Sequence, residues 1–316
     1  MHFTLKQLRY FDAALRTGSI ARAAIEMNIS QSSITGAIDA IEQDTDTELF
    51  RRIPARGLVV TDSGRQVGTL VSQFLEQARV FESDLMSLSG GPAGTLSLAC
   101  YAPTAPHVLP PVLRRVAEAY PSVRIDLKEG DMPTINQLLR AGSVDLALTY
   151  RRNLPERQPF TPLFRARPWA LLPTTSPLAE KSSVSLEELA DLPMILLDLP
   201  TTESYFRTIF SAQGLRPNVV HRTKSSSVLR GLVAANFGFS LLNICGLADR
   251  SGKLGYIARP ISNAVEEPSF GVAYTQASQR STLVQAVLTI LTKLVEEGGF
   301  DALTLETRLD DANSKP

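Results

Sequence analysis

The sequence predicts an α/β protein with an all-α-rich N-terminal head, one long helix behind it, and a two-lobed α/β domain filling the rest of its 316 residues. Three observations carry this prediction. The first fifty residues hold three short apolar runs at helical spacing, residues 62 to 88 hold an unbroken heptad pattern, and from residue 95 onward strand-like and helix-like segments alternate. With 44% apolar content the chain can bury a sizeable core, and its length suggests two or three domains.

The head comes first. Thr4 can cap a helix in which Leu5, Leu8, Phe11 and Leu15 recur at steps of three and four, stopping near Gly18. Ser19 then caps a short helix with Ile20, Ala23, Ala24 and Met27 on one face, and Asn28 can turn the chain. A third helix starts at Ser30 and buries Ile34, Ala37, Ile38 and Ile41, which turns Gln31, Ser32, Thr35, Gly36 and Asp39 outward. Two short helices joined by a tight turn fit a helix-turn-helix. In that reading Gln31 pairs with an adenine edge, Ser32, Ser33 and Thr35 reach bases or phosphates, and the free N–H groups at the helix start attract phosphate. The same pattern also fits a plain helical bundle with a solvated Ser-rich cap.

"LFRRIPARGLVVT" reads as two strands around a Pro-containing turn, a wing beside the helices. Its Arg51, Arg52 and Arg56 concentrate cations in a head whose residues 1 to 62 hold seven Lys or Arg against eight Asp or Glu. DNA affinity rests largely on phosphate neutralisation, so the location of those cations matters more than the sum. Asp44, Asp46 and Glu48 alternate, but a calcium loop begun at Asp44 would need Gly and Glu where Leu49 and Ala55 stand. They read as the solvated end of the third helix.

From Asp62 to Leu88 the residues Val67, Val71, Phe74, Ala78, Phe81, Leu85 and Leu88 repeat at alternating steps of four and three, a coiled-coil seam that would pair two chains. "SGGPAG" then breaks the helix as a hinge. Beyond it "TLSLACY", "VRIDLKE" and "VDLALTY" are strands separated by helices within residues 106 to 120 and 133 to 141, a βαβαβ pattern implying a parallel sheet. A second unit runs from "PWALLPT" through "MILLDLP", a helix at 202 to 213, "NVVHRT", a helix at 226 to 235 and "FSLLN". The strand "SFGVAYT" and the helix of residues 280 to 297 return to the first unit. Two lobes crossed twice by the chain enclose a cleft, where ligands of such folds bind. The expected divisions are 1–61 for the winged head, 62–88 for the linker helix, 89–94 for the hinge and 95–316 for the cleft-bearing domain. Within the last, lobe I comprises 95–165 with 268–298, and lobe II comprises 166–267.

Some function classes fit poorly. Cys100 and Cys245 are distant in sequence and form no C-x-x-C, which suits reduced, buried thiols. The chain has three His (His2, His107, His221) and no G-x-S-x-G, H-E-x-x-H or Walker loop, so no enzymatic activity, cofactor or catalytic metal is expected. "MHFTLKQLRYFD" does not look like an export signal and no stretch reaches roughly 18 uninterrupted apolar residues, so a cytosolic protein without membrane contact is expected.

The ordered run "LKQLRYFDAALRTGSIARAAIEMNISQSSITGAIDAIEQDTDTELFRR" with "GLVVTDSGR", and later "LPPVLRRVAEAYPSVRIDL", "GSVDLAL" and "LVAANFGFSLLN", resembles the LysR-type transcriptional regulators. The resemblance implies a winged helix-turn-helix, a linker-helix dimer and an effector domain like periplasmic binding proteins, usually assembled as a homotetramer. It implies promoter DNA as partner, with RNA polymerase beyond it, and a small organic acid or amino acid as effector. Gln31, Ser32, Ser33 and Thr35 match the family's base-reading helix start, and Arg51 and Arg52 its wing. The family commonly has Pro at the place of Ser32, Arg near Gly36 and basic residues at Asp39 and Ala40, so here the wing and helix starts must supply more of the affinity.

For the effector, the family pattern points to Tyr101, Pro103 and Thr104 after the first strand and to Thr149 and Tyr150 after the third. In the second lobe it points to Pro200, Thr201, Thr202, Ser225 and Ser226. Hydroxyls and helix starts suit a small carboxylate. Asp131 stands where the family often has a hydroxyl, and would favour an amine if it faced the cleft. Lys224, Arg151 and Arg152 are further anion partners, or simply solvated surface residues.

Overall fold

Alternation of apolar and polar residues at helical period builds the head as expected. The computed structural model describes residues 3–53, 57–88, 91–262 and 267–304. Helices α1 (Leu5–Thr17), α2 (Ile20–Met27) and α3 (Gln31–Thr45) start at Thr4, Ser19 and Ser30, whose hydroxyls accept N–H bonds from the first turn. Each ends at a left-handed residue: Gly18, Asn28 and Asp46. Phe11, Ile34 and Ile41 are fully buried at the centre of the head. Strands β1 (Phe50–Ile53) and β2 (Gly57–Val60) pair antiparallel as the wing.

Thr61 caps the linker helix α4 (Asp62–Ser87), whose 26 residues span about 39 Å. Gly64 and Gly68 sit on its first turns where a β-carbon would strike the Leu49 carbonyl and the Leu15 side chain, so close approach of α4 to the head requires glycine. Of the heptad seam, Val71 packs into the head, whereas Phe74, Phe81, Leu85 and Leu88 remain exposed along the rod.

Lobe I follows from β3 (Gly94–Tyr101), α5 (Ala105–Ala119), β4 (Val123–Gly130), α6 (Met132–Arg140), β5 (Leu146–Tyr150) and β6 (Phe160–Arg165). The strand thus begins at Gly94, one residue inside the expected hinge, whose Ser89 and Gly90 lie outside the described residues. Lobe II holds β7 (Trp169–Pro173), α7 (Leu186–Ala190), β8 (Pro193–Leu197), α8 (Thr202–Ser211), β9 (Asn218–Thr223), α9 (Ser226–Ala234), β10 (Ser240–Leu242), α10 (Leu247–Arg250) and β11 (Tyr256–Pro260). Then β12 (Ser269–Tyr274) and α11 (Thr282–Glu296) return to lobe I.

The lobe I sheet has the order β4-β3-β5-β12-β6, parallel among the first three strands and antiparallel where β12 meets β5 and β6. In lobe II β7 runs antiparallel between β10 and β11, while β8 and β9 pair in parallel. The parallel sheet expected of the βαβαβ run is present in β3, β4 and β5, and the strands added to it, β12 and β6, bring antiparallel pairing. Two strands, β6 and β11, were not expected at all. Both contain proline, Pro162 and Pro260, and both lie at a sheet edge, where a missing ladder donor is tolerated.

Candidate DNA-reading and effector sites

At the tip of α3 the Ser30 hydroxyl accepts the Ser33 N–H at 3.2 Å and lies 2.8 Å from the Ser32 hydroxyl and 2.9 Å from that of Ser33. Gln31, Ser32 and Ser33 are exposed and Thr35 is half-buried, all turned away from the Ile34–Ile41 core face. Free helix-start N–H groups and small hydroxyls thus meet in one place, which suits phosphate and base edges. In the wing Arg51 is exposed, its Nε 3.1 Å from Glu48 Oε2. Such an exposed pair holds the arginine weakly and leaves it ready to exchange onto a phosphate. Arg52 stands opposite Leu58 in the ladder, and Arg56 lies outside the described residues.

Glu42, counted from sequence only as a charge, accepts the Leu49 N–H at 2.6 Å and the Phe50 N–H at 3.0 Å. It ties the end of α3 to the start of the wing. The distribution of acids also resolves the head's near-neutral balance. Asp39, the acid of α3 nearest its tip, is eight residues from Gln31, or about 12 Å along the axis, which exceeds the Debye length of about 8 Å at physiological salt.

Between the lobes, hydroxyls and aromatic rings close on one another. Tyr101, at the end of β3, shares a 2.8 Å hydrogen bond with Thr202 Oγ1 at the start of α8. Burial pushes the Tyr101 phenol up to about 12, so it stays neutral as donor and acceptor. Thr201 donates to the Met132 sulfur at 3.2 Å, a second contact across the gap. Arg152 enters from the connection between β5 and β6, its guanidinium 3.6 Å from the centre of the Tyr205 ring and 5.0 Å from that of Tyr150. Asn243, just after β10, donates to the Ala166 carbonyl and to the Tyr205 hydroxyl. The space left is about 20 Å³, room for roughly one water, and it is also bounded by Pro103, Thr104 and Phe206.

A third tie joins α5 to lobe II. Arg230 donates to Asp249 at 2.8 Å and to His107 Nε2 at 3.1 Å, and Asp249 also accepts from Tyr256 and the Gly246 N–H. Burial drives the His107 imidazole below its ordinary range; Asp249 draws it back up and Arg230 lowers it further. Burial raises the Asp249 carboxyl, but the bonds from Arg230 and Tyr256 hold it below the usual range. Among the described residues no cluster of three or more His, Cys, Asp or Glu is arranged to hold a metal ion.

Comparison with known proteins decides the family. Residues 5–65 match the bacterial regulatory helix-turn-helix protein, lysR family, and residues 89–296 match the LysR substrate binding domain. The chain belongs to the LysR family of transcriptional regulators. Its relative in Klebsiella aerogenes, the HTH-type transcriptional regulator cbl, is 28% identical over 244 residues, covering 76% of this chain and 75% of the relative. The crystal structure of HinK, a LysR family transcriptional regulator from Pseudomonas aeruginosa, is 28% identical with a TM-score of 0.60, covering 93% of this chain and 99% of that one. Full-length CbnR, solved in complex with its target DNA, shares the fold at 18% identity and a TM-score of 0.56, covering 93% of this chain and 100% of its own.

The LysR-type regulator thus has a helix-turn-helix DNA-binding domain and an effector-binding domain. Of the effector residues picked from sequence, Tyr101, Pro103, Thr104 and Thr202 line the cavity, as do Tyr150 and Arg152. The others stand elsewhere. Thr149 shares the Ala147 face of β5, toward α6 and away from Tyr150. Asp131 caps α6, accepting from the Thr134 N–H and hydroxyl at 2.9 and 2.6 Å. Ser225 caps α9 through the Val228 N–H, Ser226 is half-buried in that helix's first turn, and Pro200 is exposed. Arg151 donates to the Pro155 and Gln158 carbonyls, and Lys224 is exposed.

Two features of this LysR-type regulator carried no motif. Arg152 and Asn243 reach the cleft from the β5–β6 connection and from the loop after β10, where neither period nor capping marks them. The linker helix is bound to lobe I. Buried Glu76 accepts from the Thr275 and Ser278 hydroxyls, Arg79 pairs with buried Asp145, and Asp84 accepts the Thr282 N–H at 2.9 Å. A Glu on an apparent solvent face gives no sign of such a partner two hundred residues away.

Proposed function

We propose that this regulator binds promoter DNA as a linker-helix dimer, assembled further into a tetramer, and that an effector in the interlobe cleft alters its grip. Residues 1–61 read the duplex, 62–88 pair two chains, and 95–316 hold the effector, with the lobes divided near residues 165 and 268. The observation that carries this reading is the exposed hydroxyl cluster and Gln31 at the tip of α3, in a head whose wing turns Arg51 to water. The exposed Phe74, Phe81 and Leu85 along α4 offer the surface for a second copy.

Two heads on one rod address half-sites one or more helical turns apart, and a tetramer engages two such regions and bends the DNA between them. An effector shifts the assembly only by its differential affinity for two cleft arrangements, which changes the bend and the access of RNA polymerase. The regulator acts by binding, without catalysis, in the cytosol. Among the described residues no helix is long and apolar enough to cross a membrane.

The test is gel retardation of the DNA upstream of the regulator's own gene against unrelated DNA of equal length, over a range of salt. Retardation should be selective and should weaken steeply with salt. Equal retardation of both fragments, or none at low ionic strength, would overturn the reading.

A further inference from the structure

The cleft wall contains a cation whose donors are not used. Arg152 Nε and Nη1 are buried and, among the described residues, have no hydrogen-bond partner, although buried polar groups are nearly always paired. Its guanidinium carbon lies over the rings of Tyr205 and Tyr150, contacts that leave these N–H groups to take a partner. Those groups suit a carboxylate, which accepts from a guanidinium with charge assistance.

The rest of the cavity narrows the choice. Met132, Leu197, Phe206, Leu242 and Ile244 make most of its wall apolar, and the hydroxyls of Tyr101 and Thr202 are already bonded to each other. Arg152 is the only cationic side chain in the lining, so a second negative charge would find no partner there. No carboxylate lines the cavity either, and Asp131, the nearest expected candidate, is engaged in capping α6. An ammonium group would therefore meet no carboxylate in the lining to offset its desolvation.

We infer that the effector is a monoanionic carboxylic acid with a short apolar body and no amine, its carboxylate held by Arg152. This rests on the reading of the cleft as the effector site. The present space admits roughly one water, so the acid enters by parting Tyr101 from Thr202, which links occupancy to lobe separation.

Three probes that differ by one group test the inference on the full-length protein: hexanoate, hexanamide and norleucine. The single tryptophan, Trp169, packs in the same cluster as the lining residues Leu197 and Leu242, so its emission reports occupancy alongside the melting temperature. Hexanoate should raise the melting temperature and shift the emission, and hexanamide and norleucine should bind at least about tenfold more weakly. Arg152→Gln should lose hexanoate by a similar factor. The inference is overturned if the amide or norleucine binds as tightly as hexanoate, if Arg152→Gln keeps wild-type affinity, or if hexanoate does not bind at all. The probe comparison on the wild-type protein stands even if the variant does not fold. Promoter binding that persists while these arms fail removes this inference alone, whereas absent promoter binding removes the regulator reading itself.

Discussion

At the tip of α3 the groups offered to a partner fall between Gln31 and Thr35 and mostly face water, whereas the cleft gathers Tyr101, Arg152 and Thr202 from separate elements and buries or half-buries them. The contrast follows from the size of what each must meet. A duplex is larger than the head and carries its own charge pattern, so a convex, hydrated surface with small side chains can approach it. A small molecule must be surrounded, which requires residues distant in sequence and close-packed walls. One consequence is structural: exposed groups on the head can be lost singly without touching the fold, while losing a cleft group such as Tyr101 removes a bond between the lobes.

Four measurements would break or sharpen this contrast. The largest effect is expected from Phe74→Asp combined with Phe81→Asp on the exposed face of α4. Separation into monomers, seen by light scattering, should reduce promoter affinity by about 10²–10⁴-fold, because the second head then binds without the advantage of linkage. Unchanged mass in solution would show that the pairing surface lies elsewhere.

Next come single substitutions at the reading surface. Gln31→Ala should remove about 1–3 kcal/mol of discrimination at one base pair while sparing random DNA. Arg51→Ala should instead weaken all sequences alike and reduce the salt slope by about one. Equal losses on specific and random DNA from Gln31→Ala would remove that residue from base reading.

The interlobe cluster predicts a smaller, pH-dependent effect. His107 is pushed below its ordinary range, so the unfolded chain binds its proton more readily than the folded one. Stability from this group should be complete above about pH 6.5 and should fall as the pH drops toward the depressed folded value. Protonation would also replace the bond accepted from Arg230 with repulsion. Melting temperatures from pH 8 to pH 5 should decline less in His107→Gln than in the wild type; parallel curves would show that the imidazole does not contribute. The smallest effect is expected from Tyr101→Phe, which removes one bond across the cleft. A net cost of about 0.5–1.5 kcal/mol, read as a melting shift of about 2–4 °C per kcal/mol, should come with easier lobe opening.

How much of this was legible in the sequence differs between the same two regions. The caps at Thr4, Ser19 and Ser30, the stops at Gly18 and Asn28, and the core face of α3 are local matters of spacing and backbone conformation, and they stand where the pattern put them. Most of the order of strands and helices in the lobes was readable, as was the return of β12 and α11 to lobe I, with β6, α7, α10 and β11 missed. The parallel direction of β3, β4 and β5 was readable too, but β6 and β11 were not, because they are short proline-bearing edges whose pairing is decided by distant partners. In the cleft, Tyr101 and Thr202 follow from their places at a strand end and a helix start. Arg152 looked like a surface residue, since its burial depends on Tyr205, fifty residues away. Glu42 and Glu76 hid in the same manner: each is an acid on a helix whose partners arrive only with the tertiary fold.

The fastening of α4 to lobe I through Glu76, Arg79 and Asp84 turns the linker into a lever. With its fulcrum at those three contacts and an arm of about 21 Å from Glu76 to the start of the helix, a tilt of roughly 8° in the lobe sweeps the far end by about 3 Å. That travel is close to the rise of a single base-pair step, so a slight reorientation of one lobe is enough to put a reading head out of register with its half-site.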